Sequence, residues 1–206
     1  MQNTILEKAK ELFLERGVKT VTMDDIAREM GISKKTIYAH YSSKEDLLEQ
    51  SFNRFFYFVI EKLNEVKEKG FNPIEELFKE NEVLKEIVIF DERKIQVLHD
   101  LEKYYPKIAD NFLRVRIAEF EKNYKYNLER GIKQGLYREN LPIDFIVKNH
   151  FACTSTYFNK AFNKLQITRT IDEVSFLQTE YFLRSIVTPK GLEILEQLIT
   201  HKSNIQ

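Results

Sequence analysis

Apolar residues recur along this chain three and four positions apart, the period of a helix with one buried face. Ile5, Ala9, Leu12 and Phe13 trace the first stripe, and Gly17 follows it as a left-handed stop. Thr4 and Glu7 stand at capping-box spacing and predict that this helix opens at Thr4. A second stripe, Met23, Ile26, Ala27 and Met30, opens at Thr22 with Asp25 in the box position and stops at Gly31. A third, short helix is predicted from Ser33 to Tyr41, and a fourth from Ser43, with Asp46 three residues on. The fourth is long: Leu47, Leu48, Phe52, Phe55, Phe56, Val59, Leu63 and Val66 share its apolar face ahead of Gly70. Asn72-Pro73 restarts the chain, with proline at the first helical position. Further helices are expected over 73–89, 91–104, 106–133, 142–163, 170–187 and 189–200, with Gly135 and Pro142 bracketing a loop. No alternating strand pattern and no internal repeat is present.

Composition agrees with an all-α chain. Six glycines and four prolines in 206 residues are few for the many turns of an all-β fold. A single cysteine excludes an intramolecular disulfide and argues against a cysteine-based zinc site. Apolar runs are short, Ile87-Val88-Ile89-Phe90 being typical, so no membrane-spanning helix is expected. The first residues lack a basic stretch followed by an apolar one, so no signal peptide is expected and a cytoplasmic setting is. Lys plus Arg and Asp plus Glu are both 32, so any affinity for nucleic acid must come from a local patch.

Residues 22–44 supply such a patch. A helix, the Gly31 turn and a second helix form a helix-turn-helix pattern, in which the second helix enters the major groove. No acidic residue lies between Gly31 and Lys44, while Ser33, Lys34, Lys35, Thr36, Tyr38, His40, Ser42, Ser43 and Lys44 all donate hydrogen bonds. Ile32, Ile37 and Tyr41 space as the inward face. The chain therefore reads as an N-terminal three-helix helix-turn-helix domain, residues 1–47, joined by the long fourth helix to a larger C-terminal helical bundle, residues 48–206.

The run Ile26-Ala27-x-x-Met30-Gly31-Ile32-Ser33-x-x-Thr36-Ile37-Tyr38-x-His40-Tyr41-x-Ser43-Lys44-Glu45-x-Leu47-Leu48 resembles the N-terminal domain of TetR-type transcriptional regulators. Tyr41 stands where phenylalanine is commoner. The resemblance covers roughly the first 50 residues; beyond them only helix number and length, the Gly135 turn and Thr188-Pro189 are similar. It implies a C-terminal domain that dimerises and binds a small effector. Lys34, Lys35, Thr36 and Ala39 are then placed to read base edges, lysine donating to guanine and the small Ala39 meeting a thymine methyl. Thr22, Ser33, Tyr38, His40 and Lys44 are placed to hold phosphates and set register without reading sequence.

The remaining signals are weaker. His150 and Cys153 share a helix face, but no second ligand pair accompanies them, and neither a metal nor a cofactor is expected. Phosphate loops and nucleophile elbows are absent, so no enzymatic activity is expected. Acids and bases alternate over residues 60–103 and read as a solvated face. Sixteen Phe and ten Tyr read as core, dimer seam and the lining of an apolar ligand site. Phe55, His99, Phe112, Arg116, Phe120 and Tyr157 are the candidates for that lining. Phe151, Phe158, Phe162, Phe176, Tyr181 and Leu183 are the candidates for the seam. The expectation is a dimeric regulator that binds a palindromic operator and responds to a small apolar or aromatic effector. The alternative is an effector-independent architectural DNA-binding protein.

Overall fold

The computed structural model describes residues 1–87, 92–155 and 169–203. Among them the chain forms ten α-helices and no strand, with one isolated antiparallel bridge between Tyr137 and Val187. In chain order these are α1 (Gln2–Arg16), α2 (Met23–Met30), α3 (Lys34–Tyr38), α4 (Lys44–Glu68), α5 (Pro73–Ile87), α6 (Glu92–Tyr104), α7 (Pro106–Lys133), α8 (Ile143–Ser155), α9 (Ile171–Arg184) and α10 (Pro189–Ser203). The all-α expectation holds. The last part of the helix expected over 142–163 lies outside the described residues.

Local chemistry explains most of the helix starts. Thr22 accepts from the Asp25 N–H while the Asp25 carboxylate accepts from the Thr22 N–H, a complete capping box. Thr170 and Glu173 do the same for α9. Ser33 caps α3, and the Ser43 hydroxyl accepts from Asp46 N–H at the head of α4. Asn72 accepts from the N–H groups of Ile74 and Glu75. The box expected at Thr4 does not form: α1 begins two residues earlier, capped by Met1 without a side-chain bond, so Thr4 already lies inside the helix. Gly31 adopts the left-handed conformation (φ 64°, ψ 28°) and turns the chain from α2 toward α3. Gly17 has positive φ but an extended ψ of 146°, so it ends α1 by leaving the helix rather than by a left-handed cap.

Packing divides the chain into two units. The first comprises Met1–Glu61 and Phe90–Val115, the second Lys62–Ile89 and Arg116–Gln206. The first unit is built around Ile5, Ala9, Leu12 and Phe13 of α1, Ile26, Ile37, Tyr41, Leu47 and Leu48, closed by Val97 and Leu101 of α6 and Ile108 and Ala109 of α7. The second packs Ile74 and Leu77 of α5 against Leu128, Leu136, Tyr137, Val147, Leu183, Ile186 and Leu195.

The second unit encloses a charged group. Glu76 and Glu80 fall on the same face of α5 as Pro73 and Leu77, and both are buried. This corrects the expectation of a uniformly solvated face over 60–103: helical spacing, not charge, decides which side chains turn inward. Arg130 Nη1 donates to Glu76 Oε2 at 2.8 Å and Arg130 Nη2 to the Phe71 carbonyl at 2.9 Å. Asn127 Nδ2 donates to Glu76 Oε1 at 2.9 Å and to the Pro73 carbonyl at 3.0 Å, and the Tyr137 hydroxyl donates to Asn127 Oδ1 at 3.1 Å. Gly131 makes room for that tyrosine, since a Cβ there would lie 2.0 Å from its ring.

Arg130→Ala leaves the Glu76 carboxylate buried without its cation. The expected loss is about 3–5 kcal/mol, or roughly 6–20 °C in melting temperature for a chain of this size. Thermal denaturation followed by circular dichroism checks this, and an unchanged melting temperature contradicts the assignment.

Candidate nucleic-acid interface and ligand cluster

A five-residue helix presents the basic patch. Ile37 is fully buried and Tyr41 almost so, its hydroxyl donating to the Gln2 carbonyl at 3.0 Å. That bond gives the tyrosine at this position a role that phenylalanine lacks. With these two side chains turned inward, Lys34, Lys35, Tyr38, Ala39 and His40 face solvent. Thr36 is half-buried, and its hydroxyl lies 2.8 Å from Ser33 Oγ, which also accepts from Thr36 N–H. Thr36 and Ser33 are therefore tied into the cap of α3.

Several of these donors already have partners. Lys34 Nζ donates to Asp24 Oδ2 of α2 at 2.8 Å, an exposed pair that raises the lysine pKa. The Thr22 hydroxyl donates to Asp25 Oδ2 at 2.7 Å; with the Thr22 N–H and Arg28 it holds the Asp25 carboxyl below the usual range. Lys44 is half-buried, donates to the Lys19 carbonyl at 3.2 Å and lies 5.9 Å from the Tyr105 ring, and burial draws its pKa down. Every sequence-predicted DNA residue is thus in this one unit, on α3, at its ends or at the starts of α2 and α4.

The predicted ligand residues divide between the units. In the second, Phe120 stacks on Tyr124 at 4.1 Å and meets Phe151 edge-on at 5.0 Å, with the Arg116 guanidinium 5.9 Å from the Phe151 ring. Around them stand residues the sequence reading did not select. His150 stacks on Phe182 at 4.0 Å and shares a hydrogen bond with the Tyr124 hydroxyl at 3.0 Å. Burial pushes His150 down to about 4, so its ring is neutral at ordinary pH. Burial, and secondarily the nearby Glu80 charge, pushes the Tyr124 hydroxyl up. Burial pushes the Glu80 carboxyl up to about 7, against the pull of Lys67. The result is a neutral imidazole–phenol pair and an acid near its titration midpoint beside an aromatic wall. The signal for Glu80 was its position on the apolar stripe of α5; that for His150 was its place at i+3 from Val147 on the inward face of α8.

The other candidates lie elsewhere. Phe112 packs edge-on against Phe52 and Phe56 in the first unit. Phe55 lines a surface groove of about 650 Å³ with Leu6, Lys10 and Arg54, also in the first unit. His99 is largely buried there, 3.7 Å from Glu102, and its Nε2 finds no hydrogen-bond partner among the described residues. Tyr157, Phe158 and Phe162 lie outside the described residues. Of the seam candidates, Tyr181 is 81% exposed, Phe176 packs on Phe78 at 5.2 Å, and Phe151 belongs to the aromatic cluster. Leu183 is completely buried within its own chain and has no surface to give a partner, a correction that follows from its inward position on α9. His150 is buried while Cys153 is exposed, and no group of three His, Cys, Asp or Glu side chains converges among the described residues. Among the described residues no helix is long and apolar enough to cross a membrane.

Residues 5–50 match the family model for bacterial regulatory proteins of the tetR family. The chain is 25% identical over 154 residues to the HTH-type transcriptional repressor KstR2 of Mycolicibacterium smegmatis, a match spanning 71% of this chain and 72% of that protein. Residues 5–50 therefore form a TetR-type N-terminal domain. The fold of the chain is also that of solved transcriptional regulators. The ketosteroid transcriptional regulator KstR2 of Mycobacterium tuberculosis superposes with a TM-score of 0.56 at 20% identity, covering 91% of this chain and 95% of that one. The fatty acid degradation regulator FadR of Bacillus halodurans gives 0.68 at 14% identity, covering 88% and 94%. This TetR-type chain is accordingly a DNA-binding transcriptional regulator, related to repressors.

Glu80 gives the cluster a pH signature. Its folded value of about 7 lies above its ordinary 4.5, so the native state keeps a proton that the unfolded chain releases. Stability contributed by the protonated form is present below the ordinary value and lost as pH rises through 7. Glu80→Gln removes that loss. Its stability relative to the parent is expected to improve by about 2–3 kcal/mol between pH 4.5 and pH 8. Urea unfolding of both proteins at the two pH values tests this; a constant difference contradicts it.

Proposed function

We propose that the protein is a ligand-responsive repressor that binds a palindromic operator as a homodimer. Residues 1–47 bind DNA, and residues 48–206 carry effector binding and dimerisation. The observation that carries the DNA reading is α3: its acid-free outer face exposes Lys34, Lys35, Tyr38, Ala39 and His40 while Ile37 and Tyr41 anchor it from behind. Lys34, Lys35, Thr36 and Ala39 read bases, and Thr22, Ser33, Tyr38, His40 and Lys44 hold phosphates. One such helix reads too few base pairs for a unique site. Two copies about 34–36 Å apart supply the rest, which calls for a two-fold dimer.

The seam is best supported on α9, where Leu177 and Tyr181 lie one turn apart and are both exposed. Phe145 of α8 is a further exposed aromatic. The effector site is best supported at Phe120, Tyr124, His150 and Phe151, where an aromatic wall surrounds a hydrogen-bonding pair suited to orienting an apolar or aromatic molecule. KstR2 and FadR are described as ketosteroid and fatty acid degradation regulators, in keeping with an apolar effector. The ligand acts by preferring the conformation that binds DNA poorly, and only by that preference.

Lys44→Ala is expected to weaken every duplex alike and to lower the salt slope by about one. Lys34→Ala is expected to cost about 1–3 kcal/mol on the preferred site alone. Fluorescence anisotropy on selected and random duplexes separates the two; equal losses on both duplexes for both variants contradict the assignment. A monomer by light scattering at micromolar concentration sinks the dimer.

Apolar effectors are expected to lower operator affinity about 5–150-fold. His150→Leu and Tyr124→Phe, measured in the same titrations, are expected to reduce that response while leaving binding without effector intact. A screen of apolar ligands that never shifts operator affinity favours the architectural binder.

A further inference from the structure

The first unit holds a second group of donors, outside the helix-turn-helix. Lys19, between α1 and α2, places Nζ 3.4 Å from the Tyr104 hydroxyl and 4.6 Å from the centre of its ring. Lys103, in the last turn of α6, places Nζ 5.2 Å from the same centre. Both ammonium groups draw the Tyr104 hydroxyl pKa down, Lys103 more than Lys19. All three residues are exposed. The neighbouring acids of α6 are engaged elsewhere, Asp100 accepting from Gln96 at 2.8 Å and Glu102 facing His99.

Two like charges gathered around one neutral phenol repel each other unless an anion joins them. Lysine Nζ groups and a phenol hydroxyl are all hydrogen-bond donors to phosphate oxygens. The position of the corner identifies the phosphate. Lys19 stands three residues before Thr22, and its own carbonyl is gripped by Lys44 at 3.2 Å. Thr22 and Lys44 are both phosphate-holding residues in the function proposed above, so the corner prolongs their row.

We propose that Lys19, Lys103 and Tyr104 form an additional phosphate-binding corner that holds the DNA backbone beyond the segment bound by the helix-turn-helix. This rests on the reading of residues 1–47 as the DNA-binding domain. The contact is to backbone alone and carries no sequence information.

Backbone contacts are counted by salt dependence. Binding of the full-length protein to a random-sequence duplex long enough to cover the flanks is measured by anisotropy between about 50 and 200 mM KCl, for the parent, Lys19→Gln, Lys103→Gln, Tyr104→Phe and Lys44→Ala. Each phosphate contact contributes about 0.9 to the slope of log affinity against log salt. Lys103→Gln and Lys19→Gln are each expected to lower the slope by about that amount per subunit, and Tyr104→Phe to weaken binding with a smaller change in slope. Parental slopes in both lysine variants, with a lowered slope in Lys44→Ala, overturn the corner and leave the DNA-binding reading standing. A fall in melting temperature with an unchanged slope likewise overturns it, assigning the tyrosine–lysine stack to structure. Failure of the parent to bind any duplex overturns both. Inorganic phosphate binding that Lys103→Gln abolishes, with no change in DNA slope, assigns the corner to a small phosphorylated ligand and overturns the proposal.

Discussion

A helix of five residues has too few internal hydrogen bonds to stand alone in water, because nucleation costs more than so short a run returns. α3 exists because Ile37 and Tyr41 are fastened into the first unit, the tyrosine by its ring and by its bond to the Gln2 carbonyl. That fastening fixes everything on the opposite side. Once Ile37 points inward, helical geometry leaves Lys34, Lys35 and Tyr38 no direction but outward. The start of α1 thereby helps to set the outer face of α3, although none of its residues donates to DNA in the proposed assignment.

Two buried acids on adjacent turns of α5 have opposite fates. Glu76 sits among donors: an arginine, an asparagine and, through the asparagine, a tyrosine. Removing one member leaves a charge stranded, which makes the network structural. Glu80, one turn on, is dominated by desolvation, which disfavours its charged form and raises its pKa. A buried polar network is rigid where every member is satisfied, as around Glu76, and less committed where a group such as Glu80 is desolvated.

The N-terminal segment was legible because its signals are local. Capping at Thr22 and Ser33, the left-handed Gly31 and the inward spacing of Ile37 and Tyr41 are all set within a few residues. Thr4 misled because a capping box requires the chain to leave the helix there, and the two residues before it are also helical. In the aromatic cluster the contributors come from α5, α7, α8 and α9, and spacing along one helix shows only which side is inward. Hence spacing singles out Phe120 and Arg116 without the Tyr124 and His150 that pack beside Phe120, and it does not show that Leu183 is wholly enclosed within its own chain.

The charges around α3 differ in how firmly they are held. The Lys34–Asp24 pair is exposed on both sides and screened by solvent, so a competing hydrogen-bond acceptor can displace Asp24 at small cost. Lys44 is half-buried and bonded to backbone, which fixes its position while burial favours losing its proton. A phosphate arriving there would restore the preference for the charged form, so binding DNA and holding that proton reinforce each other. Lys34 is thus held only by an exposed ion pair, whereas Lys44 is pre-placed by the Lys19 carbonyl and partial burial, a difference that matches the separate base-reading and phosphate-holding roles proposed for them.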